Sequence, residues 1–285
     1  MIKKILISYS NKKYSISQKR LLKSAKRKYG ITNHIKYNEK WLKKKKFYNE
    51  NTFILSQSRG AGYMIWKPFI ILETLNKVSP LDYIIYADSD MVFMKSIEPL
   101  FKICSDNNGL MIFDNSTHKN STWTKRDCFI LMDADKEEYY DNYQCMSGFI
   151  VLQKRDWVIH LMTEWLEYAR DYRNSTDSEN ELGYPNLLDF IEHRHDQSIL
   201  SILYKKYNLP LFRDPTQYGN QYKLLEYRVE GEFLISNRYE NQNLIKKNSP
   251  YDTLLEIMDV PLHGNNLISF LKKNVKKILR ILKTN

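Results

Sequence analysis

Two carboxylates, Asp88 and Asp90, stand two residues apart where the apolar run Tyr83-Ile84-Ile85-Tyr86-Ala87 ends. On an extended segment, side chains at i and i+2 point the same way, so both carboxylates can approach one hard cation. A divalent ion bound by such a pair and by substrate phosphates is the chemistry this spacing suits. The alternative is a solvated turn bearing two acids. Met91-Val92-Phe93 on the far side argues against that, and two like charges buried without a cation would be costly. His263 sits between Leu262 and Gly264. It is either a structural histidine or a further ligand, and imidazole suits Mn²⁺ better than Mg²⁺. Glu192-His193-Arg194-His195-Asp196-Gln197 is dense in polar groups yet flanked by Phe190-Ile191 and Ile199-Leu200. That pattern predicts a helix start facing a cleft, with Asp196 either capping the helix or working in the cleft. His193 and His195, at i and i+2, cannot both face one metal from a helix. Lys67 and Arg59 have two readings each: cations for a bound diphosphate, or surface side chains whose stems cover apolar neighbours.

The elements that must place these groups follow from periodicity. Strands are expected over 3–9, 33–37, 83–87, 110–113, 148–152 and 210–212, and helices over 15–29, 64–76, 97–104, 155–172 and 195–207. Pro68 is tolerated only in the first turn of its helix. Trp157 and Trp165, eight apart, are expected to pack one helix face into the core, and residues 174–181 read as a loop. Strands alternating with helices predict an α/β fold with a mostly parallel central sheet flanked by helices. In such sheets ligands gather at the carboxyl ends of the strands, where Asp88 and Asp90 fall.

Composition narrows the classes. The chain has 285 residues, 42% hydrophobic, with only 9 Gly and 8 Pro, so it is neither disordered nor a low-complexity linker. Cys104, Cys128 and Cys145 are odd in number and show no C-x-x-C spacing, which points away from a disulfide framework or a zinc site. No stretch approaches the ~20 apolar residues that span a bilayer. The apolar run after the basic start, Ile5-Leu6-Ile7, is far below the roughly seven residues of a signal-peptide core. A cytoplasmic location is therefore expected. Net charge is +11, unevenly spread: residues 1–50 hold 16 Lys/Arg against 2 Glu, and 264–285 hold six Lys/Arg and no acid. The segment between carries 22 basic and 31 acidic residues. Basic ends favour anionic partners, while an acidic middle suits a metal cation and disfavours wrapping nucleic acid. The run 43–46, four lysines, reads as a solvated face. From Leu267 to Leu282 apolar residues recur every three or four positions, with Lys272, Lys273, Lys276, Lys277, Arg280 and Lys283 on the other faces. This is either a helix on an anionic membrane surface or one docked on the domain. The organisation read is a domain over 1–264 and a basic amphipathic helix over 265–285.

Several segments, in order, resemble the nucleotide-sugar glycosyltransferases of the GT-A fold. Residues 83–93 are similar to their D-x-D segment, and Ile5 to Tyr9 to the first strand, whose end approaches the nucleotide base. Gly62-Tyr63-Met64-Ile65-Trp66-Lys67-Pro68 resembles a segment upstream of the D-x-D in bacterial polysaccharide glycosyltransferases. Ser147-Gly148-Phe149-Ile150-Val151-Leu152, Asp196-Gln197-Ser198-Ile199-Leu200 and His263-Gly264 resemble segments of glycosyltransferase family 8. The chain departs from that family after the histidine, where Asn265-Asn266 replaces a Lys-Pro-Trp element.

The resemblance implies a metal-dependent transferase of the hexosyl class, retaining, that takes a sugar from a nucleoside diphosphate, UDP foremost. The acceptor would be a hydroxyl of a glycan or lipid-linked saccharide in surface polysaccharide or lipopolysaccharide synthesis. It implies Asp88, Asp90 and His263 as ligands of Mn²⁺ (or Mg²⁺). It implies Asp196 and Gln197 at the reacting sugar, with Asp196 the general base should the reaction invert. Ser8, Tyr9, Lys67, Ser89, Ser147, Gly148 and Gly264 are the substrate contacts expected. The protein would then work on the inner face of a cytoplasmic membrane, with no nucleic acid partner. Two other classes compete. A nucleotidyltransferase would use the same carboxylates, but Ser8-Tyr9-Ser10-Asn11 is not its phosphate loop. A non-enzymatic RNA- or membrane-binding module would rest on the basic ends, and no RNA-binding signature is present.

Overall fold

A run that is apolar at every position has to be covered on both faces, and residues 83–87 are. In the computed structural model, which describes residues 2–29, 31, 33–219, 225–229, 232–236 and 248–258, they form a fully buried strand. The strands among the described residues are β1 (Lys4–Ser10), β2 (Asn33–Asn38), β3 (Tyr83–Ala87), β4 (Met91–Phe93), β5 (Leu110–Lys119), β6 (Tyr143–Gln153), β7 (Leu211–Phe212), β8 (Leu225–Val229), β9 (Glu232–Ser236) and β10 (Leu255–Ile257). The longer helices are α1 (Ser15–Tyr29), α2 (Trp66–Leu75), α3 (Glu98–Asp106), α4 (Asp156–Arg170) and α5 (Asp196–Lys206). His263, Gly264 and the amphipathic stretch 265–285 lie outside the described residues.

Among the described residues six strands make the central sheet, in the order β2-β1-β3-β6-β5-β7. β2, β1 and β3 run parallel, as do β5 and β7, while β6 is antiparallel to both of its neighbours. The expected α/β fold with a mostly parallel sheet is thus present. Alternation along each strand sends side chains to two cores. Ile5, Ile7, Ile84, Tyr86, Ile150 and Leu152 join the core under α2, α4 and α5. Leu6, Ile85, Phe149 and Val151 join the core with α1, α3, β4 and β10. Trp165 is fully buried on α4, and Trp157, half-buried, donates to the Asn108 carbonyl at 2.9 Å.

Where element bounds differ from the sequence reading, a partner across the fold is the reason. β5 and β6 run longer than expected because Asp114 and Asn115 pair with Cys145 and Gln144 across the ladder. α2 starts at Trp66 rather than Met64, because Gly60 to Met64 all take positive φ. Pro68 lies in its first turn, where no amide donor is needed. The lysine run is solvated as read, with Lys43, Lys45 and Lys46 paired to Glu39, Glu73 and Glu50. Among the described residues no helix is long and apolar enough to cross a membrane.

Candidate active site

The carboxylate pair lies just beyond β3, and three elements fix it there. The Asp88 amide donates to the Gly148 carbonyl of β6 at 2.8 Å. The Asp90 carbonyl accepts from the Met258 amide at 3.1 Å and from Arg20 of α1 at 3.4 Å. β4 then pairs with β10, Phe93 opposite Leu255. Gly148 is there for space: a Cβ would stand 2.9 Å from Asp88 Oδ2. Because β6 runs against the other strands, it brings its first half, Ser147 and Gly148, to the end of β3. The rule that sites sit at strand carboxyl ends fails for this strand for that reason alone.

Lys67 reaches the same place from the start of α2. Its side chain is 1% exposed, with Nζ 2.7 Å from Asp196 Oδ2, itself 1% exposed, and 3.7 Å from Asp88 Oδ1. It also donates to Ser147 Oγ at 3.1 Å. Burial works against its charge, but Asp196, and after it Asp88, offset that and hold the ammonium above its ordinary range. Tyr86 of β3 donates its hydroxyl to Asp88 Oδ1. The surface-lysine reading of Lys67 is thereby corrected: the group is an interior countercharge joining β3, β6, α2 and α5.

α5 begins at Asp196, as the polar cluster before it predicted, but Asp196 is not the cap. His195 occupies that position, with no side-chain cap bond, and the Asp196 carboxylate turns to Lys67. Trp165 donates Nε1 to the Asp196 carbonyl at 3.0 Å. Gln197 donates to Gln144 Oε1 at 2.6 Å, and Gln144 in turn donates to Ser198 Oγ at 3.0 Å and the Trp123 carbonyl at 3.1 Å. His193 and His195 are buried and bonded to the Asn174 and Ser175 carbonyls at 2.7 and 3.0 Å. Burial depresses both, His193 to about 3, so they are neutral supports of the loop before α5.

Among the described residues, two clefts open on the pair. One, about 560 Å³, is lined by Lys67, Ser147, Gly148, Asp196 and Gln197, with Asn115, His118, Arg194, Asp214 and Tyr218 around them. The other, about 380 Å³, is lined by Tyr9, Ser10, Asn11, Tyr14, Trp66 and Ser89. Tyr9 and Trp66 stack with ring centroids 4.0 Å apart. Asp88 and Asp90 line both. Of the expected contacts, Ser8 stands apart: it is fully buried in β1 and lines neither cleft. Sequence reasoning did not single out Trp66, Gln144, Asn115, His118 or Asp214. Gln144, a polar residue near the start of a long, mostly apolar strand, carried a signal; the others meet the site only through the fold.

The residues present fit a divalent cation. Burial, and then the neighbouring Asp88, push the Asp90 carboxyl up to about 7, a repulsion that a doubly charged ion relieves. Among the described residues no cluster of three His, Cys, Asp or Glu side chains forms a metal site. The remaining positions would fall to phosphate oxygens or water.

No protein-family model matches the chain, and no curated protein matches it. Solved structures are similar to it over most of its length. One is mouse xyloside xylosyltransferase 1 in its apo form, 11% identical, covering 92% of this chain and 100% of that one, with a TM-score of 0.49. Another is an active-site mutant of LgtC, 13% identical, covering 90% and 88%, with a TM-score of 0.46. A third is the apo bifunctional glycosyltransferase WbbM, 12% identical, where 71% of this chain spans 37% of that one, with a TM-score of 0.42.

Proposed function

We propose that this protein is a metal-dependent glycosyltransferase that moves a sugar from a nucleoside diphosphate, UDP foremost, to a hydroxyl of a glycan or lipid-linked acceptor. One observation carries the reading: Asp88 and Asp90 stand on the boundary of two clefts, one with an aromatic stack fit for a base, the other with polar groups fit for a sugar. A nucleotide sugar has that layout, with its diphosphate between base and sugar. Asp88 and Asp90, with His263 or water, would hold Mn²⁺ or Mg²⁺, which when bound supplies charge stabilisation to the diphosphate.

The chain's own groups do the rest. Tyr9 and Trp66 wall the cleft that takes the base, Ser89 and Ser147 offer hydroxyls beside the carboxylates, Gln197 orients the sugar, and Asp196 holds Lys67 in place behind it. As the bond from the anomeric carbon to the β-phosphate oxygen breaks, its electron pair stays on that oxygen. The acceptor oxygen forms the new bond to the same carbon, and its proton passes to the departing phosphate. The transition state is oxocarbenium-like, as in glycoside chemistry. Retention is supported by Asp196, whose carboxylate is covered and ion-paired to Lys67 and so is poorly placed as a general base. A role in surface polysaccharide or lipopolysaccharide synthesis, with residues 265–285 on the inner leaflet, completes the proposal and rests on the sequence pattern.

The experiment is incubation with Mn²⁺ and a panel of sugar nucleotides, with nucleoside diphosphate release as the readout. Slow hydrolysis of one donor is expected. Intact donors throughout, alongside pyrophosphate release from a nucleoside triphosphate and a sugar phosphate, would favour the nucleotidyltransferase instead.

A further inference from the structure

The part of a nucleotide sugar that crosses from one cleft to the other is the diphosphate, if the clefts hold base and sugar as proposed above. Among the described residues four line both: Arg59, Met64, Asp88 and Asp90. Two are the carboxylates and one is apolar. Lys and Arg side chains lining either cleft, among the described residues, are Lys13, Arg59, Lys67 and Arg194, and Arg59 alone lines both. Lys67 is committed to Asp196 at 2.7 Å. Arg194 lies over the Trp123 ring at 4.3 Å and pairs with Glu192 at 3.4 Å, on the sugar side. We propose that Arg59, which lines both clefts together with Asp88 and Asp90, is the cationic contact for the donor's diphosphate and stabilises the charge left on the departing nucleoside diphosphate.

The backbone after Arg59 is a second observation. Gly60, Ala61, Gly62, Tyr63 and Met64 have φ of 56°, 52°, 94°, 51° and 61°, a left-handed turn in which three residues are not glycine. Such a conformation is costly for L residues and persists where the surroundings over-determine it. Here they do. A Cβ on Gly62 would stand 2.6 Å from Leu55 Cα, Trp66 Nε1 donates to the Gly60 carbonyl at 3.0 Å, and the Tyr63 ring lies 4.9 Å from that of His195. The turn thus ties the aromatic stack of the base cleft to the loop before α5, and it delivers Arg59 and Met64 to the boundary between them. The Arg59 guanidinium is held by Glu192 and by Asp177 at 3.3 Å while its side chain stays 44% exposed. A guanidinium has five N–H donors in a fixed fork, so two carboxylates can aim it without exhausting it.

Calorimetry with Mg²⁺ present tests this on the full chain, using the five common nucleoside diphosphates and then the nucleoside of the tightest one. Arg59→Met should weaken diphosphate binding at least tenfold and leave nucleoside binding unchanged, and Arg59→Lys should recover part of the loss. Arg59→Gln gives the same comparison should the methionine variant not fold. Unchanged diphosphate affinity in the variants overturns the proposal. So does an equal loss for nucleoside and diphosphate, which would mean that Arg59 only holds the turn. A wild-type protein that binds none of the diphosphates would instead overturn the reading of the clefts, and the role of Arg59 with it.

Discussion

At the scale of single residues, the site depends on which groups the interior leaves charged and where a side chain has been left out. Gly148 gives way to Asp88, so Gly148→Ala should push the carboxylate from its place without unfolding the sheet. Its expected signature is at least a tenfold loss of cation-dependent nucleotide binding with a stability change within about 1 kcal/mol, read by calorimetry and thermal melting. The buried histidines make a pH prediction. His193 is held down to about 3 by burial, and His195 is lowered as well. Below the ordinary histidine range near 6.5 the unfolded chain takes up protons that the folded one refuses, so stability must fall as pH drops from about 6.5 toward 3. Each such group contributes up to roughly 1.4 kcal/mol per pH unit in that window. Thermal melts between pH 7 and 5 should show the slope, and His193→Gln should reduce it; a slope unchanged in that variant would remove His193 as its source.

The elements show how far local sequence reaches. β3 was legible because its apolar run is too short for a buried helix and rich in isoleucine and tyrosine, which suits a strand covered on both faces, and α1 because its apolar and basic residues alternate with helical period. The start of α5 was legible from a polar cluster set between apolar runs, which brought Asp196 and Gln197 to the cleft as expected. Lys67 was not: its burial depends on Asp196, 129 positions later, and on β6 running antiparallel, neither of which leaves a local trace. Polar ladder residues hid the outer halves of β5 and β6 in the same way. The left-handed turn was also unseen, since Ala61, Tyr63 and Met64 carry no preference for positive φ. That turn makes its own prediction. Gly62→Ala meets the Leu55 backbone at 2.6 Å and an unfavourable φ together, so it should cost more than about 2 kcal/mol, measured by denaturant unfolding. A neutral effect would mean that the turn is not held as described.

Across the whole molecule, the two clefts and the carboxylates between them form one arrangement, while the sequence gathers its excess positive charge into residues 1–50 and 264–285. Six basic residues and no acid over 264–285 should draw the protein to anionic vesicles at low salt and release it at high salt, at roughly 1 kcal/mol per residue near the leaflet. Replacing Lys272, Lys273, Lys276 and Lys277 by glutamine should abolish sedimentation with anionic vesicles and leave nucleotide binding intact. Equal sedimentation of the two proteins would place that segment's role elsewhere. The central claim is narrower: the pair Asp88 and Asp90 joins a divalent cation to a nucleoside diphosphate at the boundary of the clefts. Its most direct measurement is the affinity of wild type and Asp90→Ala for nucleoside diphosphates, with Mn²⁺ and with EDTA. The expected result is tight binding by wild type with Mn²⁺ alone, lost in EDTA and lost in Asp90→Ala, whose melting temperature stays near that of wild type. Equal affinity in EDTA, or undiminished binding by Asp90→Ala, would contradict it.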